Sequence, residues 1–286
     1  EWDLASEYRY REPMVDDRTL FVAVSQSGET ADTLAALREA RSRGARILAV
    51  TNVVGSTVAR EADWVLYTWA GPEIAVASTK AYTTQLVLLT LLAVWLGQQN
   101  GRIDPAEAAA LVHGLRRLPN QAERLMALEQ ALKEAGEELA GHDDVFFIGR
   151  NLDYAVALEG QLKLKEISYI HAEAYAAGEL KHGTLALITD GTPVVALNTQ
   201  PQLAEKTISN IQETRARGAF VLGFAQEGDE VTARHCDRIF YVPRTHHFLT
   251  PALAALPLQL LAYYAATARG TDVDKPRNLA KSVTVE

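Results

Sequence analysis

Cysteine is nearly absent from this chain: Cys236 stands alone, so no internal disulfide can brace the fold. With no secretory leader at Glu1, a reducing, cytoplasmic setting is the expectation. Positive charge is also short. Lysine and arginine number 28 against 36 acidic residues, a formal net charge of -8, so no basic stripe is present to give nonspecific affinity for nucleic acid. Long apolar runs are missing too: the richest, Leu86 to Leu96 interrupted by Thr90, falls well short of the roughly 20 residues that span a bilayer and reads as a buried helix. No pair of His or Cys residues has convincing metal-ligand spacing, since His246 and His247 are adjacent and cannot share one face of a helix or strand; neither a metal nor a cofactor is expected. What is there, 48% hydrophobic and 22% charged over 286 residues, is an ordinary globular composition long enough for two lobes.

The pattern along the chain is α/β. Leu20 to Ser25 is a short β-branched and apolar run; Thr30 to Arg43 places Leu34, Leu37 and Ala40 at helical spacing; Gly44 supplies a left-handed stop; Arg46 to Thr51 resumes as strand. Strand, helix and strand with short connections make a parallel βαβ unit. The cadence returns. Arg38 to Val50 aligns without gaps on Gln212 to Phe224, with Arg41, Arg43, Gly44, Ala45 and Leu48 matching Arg215, Arg217, Gly218, Ala219 and Leu222, and extension backwards lays Val194 to Leu197 on Leu20 to Ala23. Two amphipathic helices ending in glycine would share part of this by chance, but a duplicated α/β unit accounts for all of it. A second unit opens at Val145 to Arg150 and runs into a helix from Tyr154 to Tyr169; nothing like that opening precedes Leu20, so the first lobe reads as truncated at its N-terminus. The expected lobes are residues 1–125 and 126–270, joined by a helical stretch from Pro105 to Leu139 with breaks at Pro119 and Gly136, and followed by a polar tail, 271–286.

Ser25-Gln26-Ser27-Gly28-Glu29-Thr30 lies where a strand ends and a helix begins, the place where open parallel sheets collect ligands. A helix N-cap needs one hydroxyl, whereas three hydroxyls with the free N–H groups of a first helical turn suit a phosphate dianion. Glu73 to Lys80 has the same small, hydroxylated character ahead of a long helix, and by itself is as well read as a capped helix start. Glu159, Lys163, Glu166 and Ile170 recur at i, i+4, i+7 and i+11, one face of a helix; an exposed salt-bridged stripe is the ordinary reading of such charges, but the Ala-, Gly-, His- and Tyr-rich run that follows makes a better pocket wall than surface. His182, beside Gly183, has the side chain for proton transfer near neutral pH, although a lone histidine is commonly structural. Lys281, set among Leu279, Ala280 and Val283, would be partly desolvated if the tail folds back, and so becomes a candidate amine nucleophile for a carbonyl.

Together the stretches from Ser25 (SQSGETADTL), Glu73 (EIAVASTKAYTTQL), Ala157 (ALEGQLKLKEISYIHAEAYAAGELKHG) and Asp272 (DVDKPRNLAKSVTVE) resemble the isomerase portion of the glutamine-fructose-6-phosphate aminotransferases, built from two sugar isomerase (SIS) domains. The resemblance implies two SIS-type lobes, each a parallel sheet flanked by helices in a flavodoxin-like three-layer arrangement. It implies that Ser25, Gln26, Ser27 and Thr30 hold the phosphate of fructose 6-phosphate, that Val76, Ser78 and Ala280 line the sugar, and that Lys281 forms a Schiff base with the open-chain ketose. Glu166 would move a proton between C1 and C2, His182 from a neighbouring subunit would assist ring opening, and Lys163 would support the site electrostatically. A homodimer without nucleic-acid or membrane partners, attached in its parent protein to a glutaminase domain, completes the expectation. Thr184 stands where that family usually has proline, and the Cys-Gly-Thr-Ser loop of its first lobe is not in this sequence. A deaminase or deglycase on paired SIS domains, or a sugar-phosphate sensor, are the competing readings; a sensor has no need of Glu166 and Lys281 together.

Overall fold

The computed structural model describes residues 1–285. The helices are α1 (Ala5–Tyr8), α2 (Ala31–Ser42), α3 (Thr57–Glu61), α4 (Lys80–Gln99), α5 (Pro105–Leu125), α6 (Glu129–Leu139), α7 (Leu152–Ser168), α8 (Ala204–Arg215), α9 (Glu230–Ala233) and α10 (Thr250–Ala268). The strands are β1 (Leu20–Ser25), β2 (Arg46–Thr51), β3 (Trp64–Tyr67), β4 (Asp144–Gly149), β5 (His171–Ala176), β6 (Pro193–Asn198), β7 (Phe220–Gln226) and β8 (Arg238–Val242). They form a three-stranded sheet ordered β1-β2-β3 and a five-stranded sheet ordered β5-β4-β6-β7-β8, parallel throughout. Near-continuous apolar strands such as Val194 to Leu197 are what a sheet covered on both faces requires.

Two compact units result: residues 1–89 with the chain end from Asn278, and Thr90–Arg277. The sequence put the division near residue 125. In the structure α5 and α6 pack with α10 and so belong to the second unit, and the tail divides after Arg277. The helix passes through Pro119 and stops instead at Leu125, ahead of a short 3-10 turn at Met126–Leu128. Gly136 lies within α6, where a Cβ would come within 2.7 Å of the Tyr264 Cβ and 2.9 Å of the Ala265 nitrogen, so glycine there permits close approach of α10.

The first unit packs Ala23, Leu37, Ala40, Ile47, Ala49 and Val58 into its core, and the second packs Phe146, Ile148, Val194, Ala196, Ile211 and Val221. The internal repeat is visible in the hydrogen bonds. The Asp63 carboxylate accepts the Ile47 N–H at 2.6 Å and lies 3.8 Å from Arg41; Asp237 accepts the Val221 N–H at 2.7 Å and lies 3.0 Å from Arg215. Strand register adjusts the gapless alignment by one residue. Leu20 pairs with Arg46 while Pro193 pairs with Phe220, so Leu20 answers to Pro193 rather than Val194; the strand-to-helix loops, 26–30 and 199–203, are equal in length, and the extra residue of the second copy lies between the start of its helix and its next strand. No strand among the described residues of the first unit corresponds to β4 or β5.

One expectation is overturned. The apolar run Leu86 to Leu96 lies in α4, where only 11% of its most hydrophobic window is buried, and Leu91 and Trp95 are 39% and 56% exposed. Its counterpart by order, α10, is covered by α6 and α7, and the first sheet has no described elements equivalent to α7 and its strands. Both α4 and α10 are long and apolar enough to cross a membrane by length and composition, and α10 is largely a core helix, 56% buried in its window.

Candidate active site

The loop between β1 and α2 is shaped by its own hydroxyls. The Ser25 Oγ accepts the Gly28 N–H at 3.0 Å and lies 3.4 Å from the Thr30 Oγ1, while the Ser27 Oγ accepts the Glu29 N–H at 3.2 Å. Gly28 has φ +66°, and a Cβ there would come within 2.6 Å of the Ser56 Cβ and 2.9 Å of the Thr51 Oγ1, so conformation and space both demand glycine. Glu29, despite its place in the loop, is a brace: its carboxylate takes the Thr57 N–H and the Thr57 hydroxyl, each at 2.7 Å, and the side-chain bond from Thr57 is the main cause holding it below the ordinary glutamate range. Gln26 is half-buried beside these groups.

Onto this loop comes the chain end. The Ser282 Oγ lies 3.0 Å from the Ser27 Oγ, and the Val283 carbonyl accepts the Ala31 N–H at 3.1 Å, capping a helix that has no side-chain cap of its own. The Lys281 Nζ donates to the Glu73 Oε2 at 2.6 Å and to the Ser78 Oγ at 3.1 Å. Glu73 also accepts the Thr79 and Ala81 N–H groups at 2.9 and 3.2 Å, tying the start of α4. Burial works to raise the Glu73 pKa, but Lys281 and these donors outweigh it and the carboxyl ends below its usual range. Residues 281–283 of the tail are therefore tied to the first unit, and one element of the sequence reading changes. Lys281 is positioned by an ion pair with a buried carboxylate rather than by an apolar sleeve, since Leu279 and Val283 are themselves 47% and 56% exposed. Val76 is half-buried ahead of Ser78, and Ala280 is exposed.

In the second unit, α7 carries Glu159, Lys163 and Glu166 on one face as the spacing required. The Lys163 Nζ lies 2.7 Å from the Glu166 Oε2 and 3.9 Å from the Glu159 Oε1, and all three are sheltered, their side chains 5%, 21% and 8% exposed for Lys163, Glu166 and Glu159. This is an inward triad and not a solvated stripe. Two carboxylates around one ammonium leave a formal surplus of negative charge, and Glu166 is the most open of the three. Ile170 is not part of the helix face: α7 ends at Ser168, Tyr169 turns left-handed at φ +61°, and Ile170 packs into the core. The run beyond forms β5 and a 3-10 segment, Ala177–His182, whose last residue, His182, is exposed, with Thr184 buried just after.

Lys281, Ser25 to Thr30, Ser78 and the tail thus come together within the first unit, and the α7 triad and His182 belong to the second. Glu73, Ser282 and the Val283 carbonyl were not singled out from the sequence. Their places depend on contacts across about 200 residues, and only the acid ahead of a small-residue helix start gave a local signal for Glu73.

The description "SIS domain" matches residues 1–95 and 138–269, most of the chain. The chain belongs to the SIS domain family. The Symbiobacterium thermophilum glutamine--fructose-6-phosphate aminotransferase [isomerizing] is 88% identical to it over 286 residues, all of this chain and 47% of that protein. The protein of the same description from Caldanaerobacter subterraneus is 57% identical over the same span, so the SIS chain covers about half the length of the curated relatives it matches. Among solved structures, the C-terminal domain of glucosamine-fructose-6-phosphate aminotransferase from Francisella tularensis superposes with a TM-score of 0.91 at 41% identity, over 96% of this chain and 78% of that one. The glucosamine-6-phosphate deaminase of Thermotoga maritima shares the fold, with a TM-score of 0.71 at 24% identity over 98% of this chain and 80% of that one.

Proposed function

We propose that this chain is the sugar-isomerising part of a glucosamine-6-phosphate synthase, converting fructose 6-phosphate and ammonia to glucosamine 6-phosphate and water. The observation that carries the reading is the return of Lys281, Ser282 and Val283 to the hydroxylated loop of the first unit: an amine and an anion cradle are held on one surface by named hydrogen bonds. A phosphate on Ser25, Gln26, Ser27 and Thr30 anchors one end of an open-chain ketose, and its C2 carbonyl falls to the Lys281 amine.

Before substrate arrives the Lys281 ammonium is held by Glu73, which is also the acceptor within hydrogen-bond reach for the proton that must leave before attack. Attack on C2 with loss of water gives the ketimine, and ammonia displaces the lysine amine to give the C2 imine of fructose 6-phosphate, with the C1 hydroxyl retained. Glu166 then takes a proton from C1 and returns it at C2, leaving the aldose with its amino group at C2. Lys163, 2.7 Å from Glu166, holds and orients that carboxylate, and Glu159 fixes Lys163 from the other side. His182, exposed at the end of its 3-10 segment, serves ring opening in the site of a second subunit, which makes the working form a homodimer. A glutaminase domain elsewhere in the parent protein supplies ammonia, and the setting is cytoplasmic.

The test is Glu166→Gln assayed with fructose 6-phosphate and ammonium chloride. Loss of about 10²–10⁴-fold in kcat, with the affinity for inorganic phosphate kept, is expected for removal of an acid–base group. Wild-type activity in this variant would refute the role, and ammonia release from glucosamine 6-phosphate without net synthesis would identify a deaminase.

A further inference from the structure

The second sheet has a topological switch point between β4 and β6: the chain leaves β4 towards β5 and leaves β6 towards β7, so the loops after β4 and β6 part and open a crevice where such sheets bind ligands. In this chain the crevice is already filled by the chain itself. The Asp153 carboxylate, on the first turn of α7, accepts the Thr199 N–H at 2.7 Å on one oxygen and the Thr199 hydroxyl on the other. Asp153, Thr199 and Gln200 are 2%, 1% and 1% exposed. By strand register, Ser25 at the end of β1 answers to Asn198 at the end of β6, so Thr199 and Gln200 occupy the places of Gln26 and Ser27 in the first copy's loop. The donors of the second copy's cradle are therefore spent on an internal anion.

The entry to α7 needs such a fixture. Asn151, which precedes the helix, has φ +51° and ψ -120°, a backbone region costly for a residue with a side chain, and it makes no capping bond. Backbone bonds to the Arg150 and Asn151 carbonyls close that first turn, and the carboxylate two residues on ties it to a loop 46 positions away in sequence. The same helix, about 9 to 20 Å further along its axis at 1.5 Å per residue, presents Glu159, Lys163 and Glu166.

We propose that Asp153 is a built-in ligand: a carboxylate that fills the second copy's anion crevice, pins the start of α7 to the Asn198–Gln200 loop, and so is a positioning residue for the Glu166–Lys163 pair. Emptied of Asp153, the crevice takes a small oxyanion of the carboxylate class. The kinetic part of this inference rests on the proposed function; the binding part does not.

The experiment compares wild type, Asp153→Ala and Asp153→Asn, with sodium formate as the probe and sodium chloride at equal ionic strength as the control. Asp153→Ala is expected to melt lower than wild type, to regain part of the loss saturably with formate and not with chloride, and to lose about tenfold or more in kcat with KM for fructose 6-phosphate within twofold, a loss that formate partly restores. Asp153→Asn, which keeps an acceptor for the Thr199 N–H, is expected between the two. Should Asp153→Ala fail to fold, Thr199→Val with the Asn variant carries the same kcat-without-KM expectation. Wild-type melting and kcat in the alanine variant, equal effects of formate and chloride, or a rise in KM with kcat unchanged would overturn the assignment. If wild type itself shows no turnover, the proposed function fails, and the formate-specific shift in melting still decides this inference.

Discussion

Gly28→Ala is the sharpest perturbation of the cradle that leaves every hydroxyl in place. At φ +66° an added Cβ costs about 1–2 kcal/mol from the left-handed backbone alone. The same Cβ would come within 2.6 Å of the Ser56 Cβ and 2.9 Å of the Thr51 Oγ1, and forcing a methyl into a packed site adds about 1–3 kcal/mol. The sum, about 2–5 kcal/mol, has to be met by displacement of the loop, because Ser56 is 2% exposed and Thr51 is fully buried. Displacement breaks the bond from the Gly28 N–H to Ser25 and moves Ser27 away from Ser282, so the chain end is released together with the proposed phosphate cradle. The assay is denaturant unfolding, together with binding of inorganic phosphate by calorimetry. A lowered unfolding midpoint and phosphate affinity reduced tenfold or more are expected, and adding Ser56→Gly should recover the part of the steric share due to Ser56 while leaving the Thr51 contact and the backbone share. A single variant with unchanged midpoint and unchanged phosphate affinity would refute the geometry on which the cradle rests.

Glu73→Gln removes the charge that holds Lys281; protease sensitivity of the tail should rise, and the rate of imine formation should fall about tenfold or more, read by borohydride trapping at early times. Asp153 gives a pH signature. Burial, partly opposed by the Thr199 and Gln200 donors, pushes its carboxyl up to about 6 from 3.8, so between those values the folded chain binds more protons than the unfolded one. Its contribution to stability therefore falls as pH rises from about 4 to 6, by about 3 kcal/mol at 1.36 kcal/mol per pK unit. Asp153→Asn should flatten that part of the stability profile, as measured by urea midpoints at a series of pH values.

Much of the architecture was legible because it is carried by local chemistry. Gly44 and Gly218, both at positive φ, end equivalent helices, and the matched arginines at 41 and 215 reach equivalent aspartates, so a repeat read from letters reappears as repeated hydrogen bonds. The face of α7 followed from spacing alone, because i, i+4 and i+7 share one side of any helix. The burial of α4 was misread, because its apolar composition says what the helix prefers and not what covers it. The packing of α5 and α6 against α10, which groups them with the second unit, has no mark in their own sequence for a similar reason. Glu73 and Asp153 escaped notice because each takes its meaning from a residue far off in the chain, Lys281 and Thr199.

The central claim is that the amine at the chain end and the hydroxylated loop serve one open-chain sugar phosphate. Borohydride reduction in the presence of fructose 6-phosphate, followed by peptide mass mapping, tests it most directly. The account predicts a single reduced adduct on Lys281, suppressed by excess inorganic phosphate and lost in Ser27→Ala together with Thr30→Val. An unmodified Lys281, or labelling that falls instead on Lys80 or Lys163 and ignores phosphate, would contradict it.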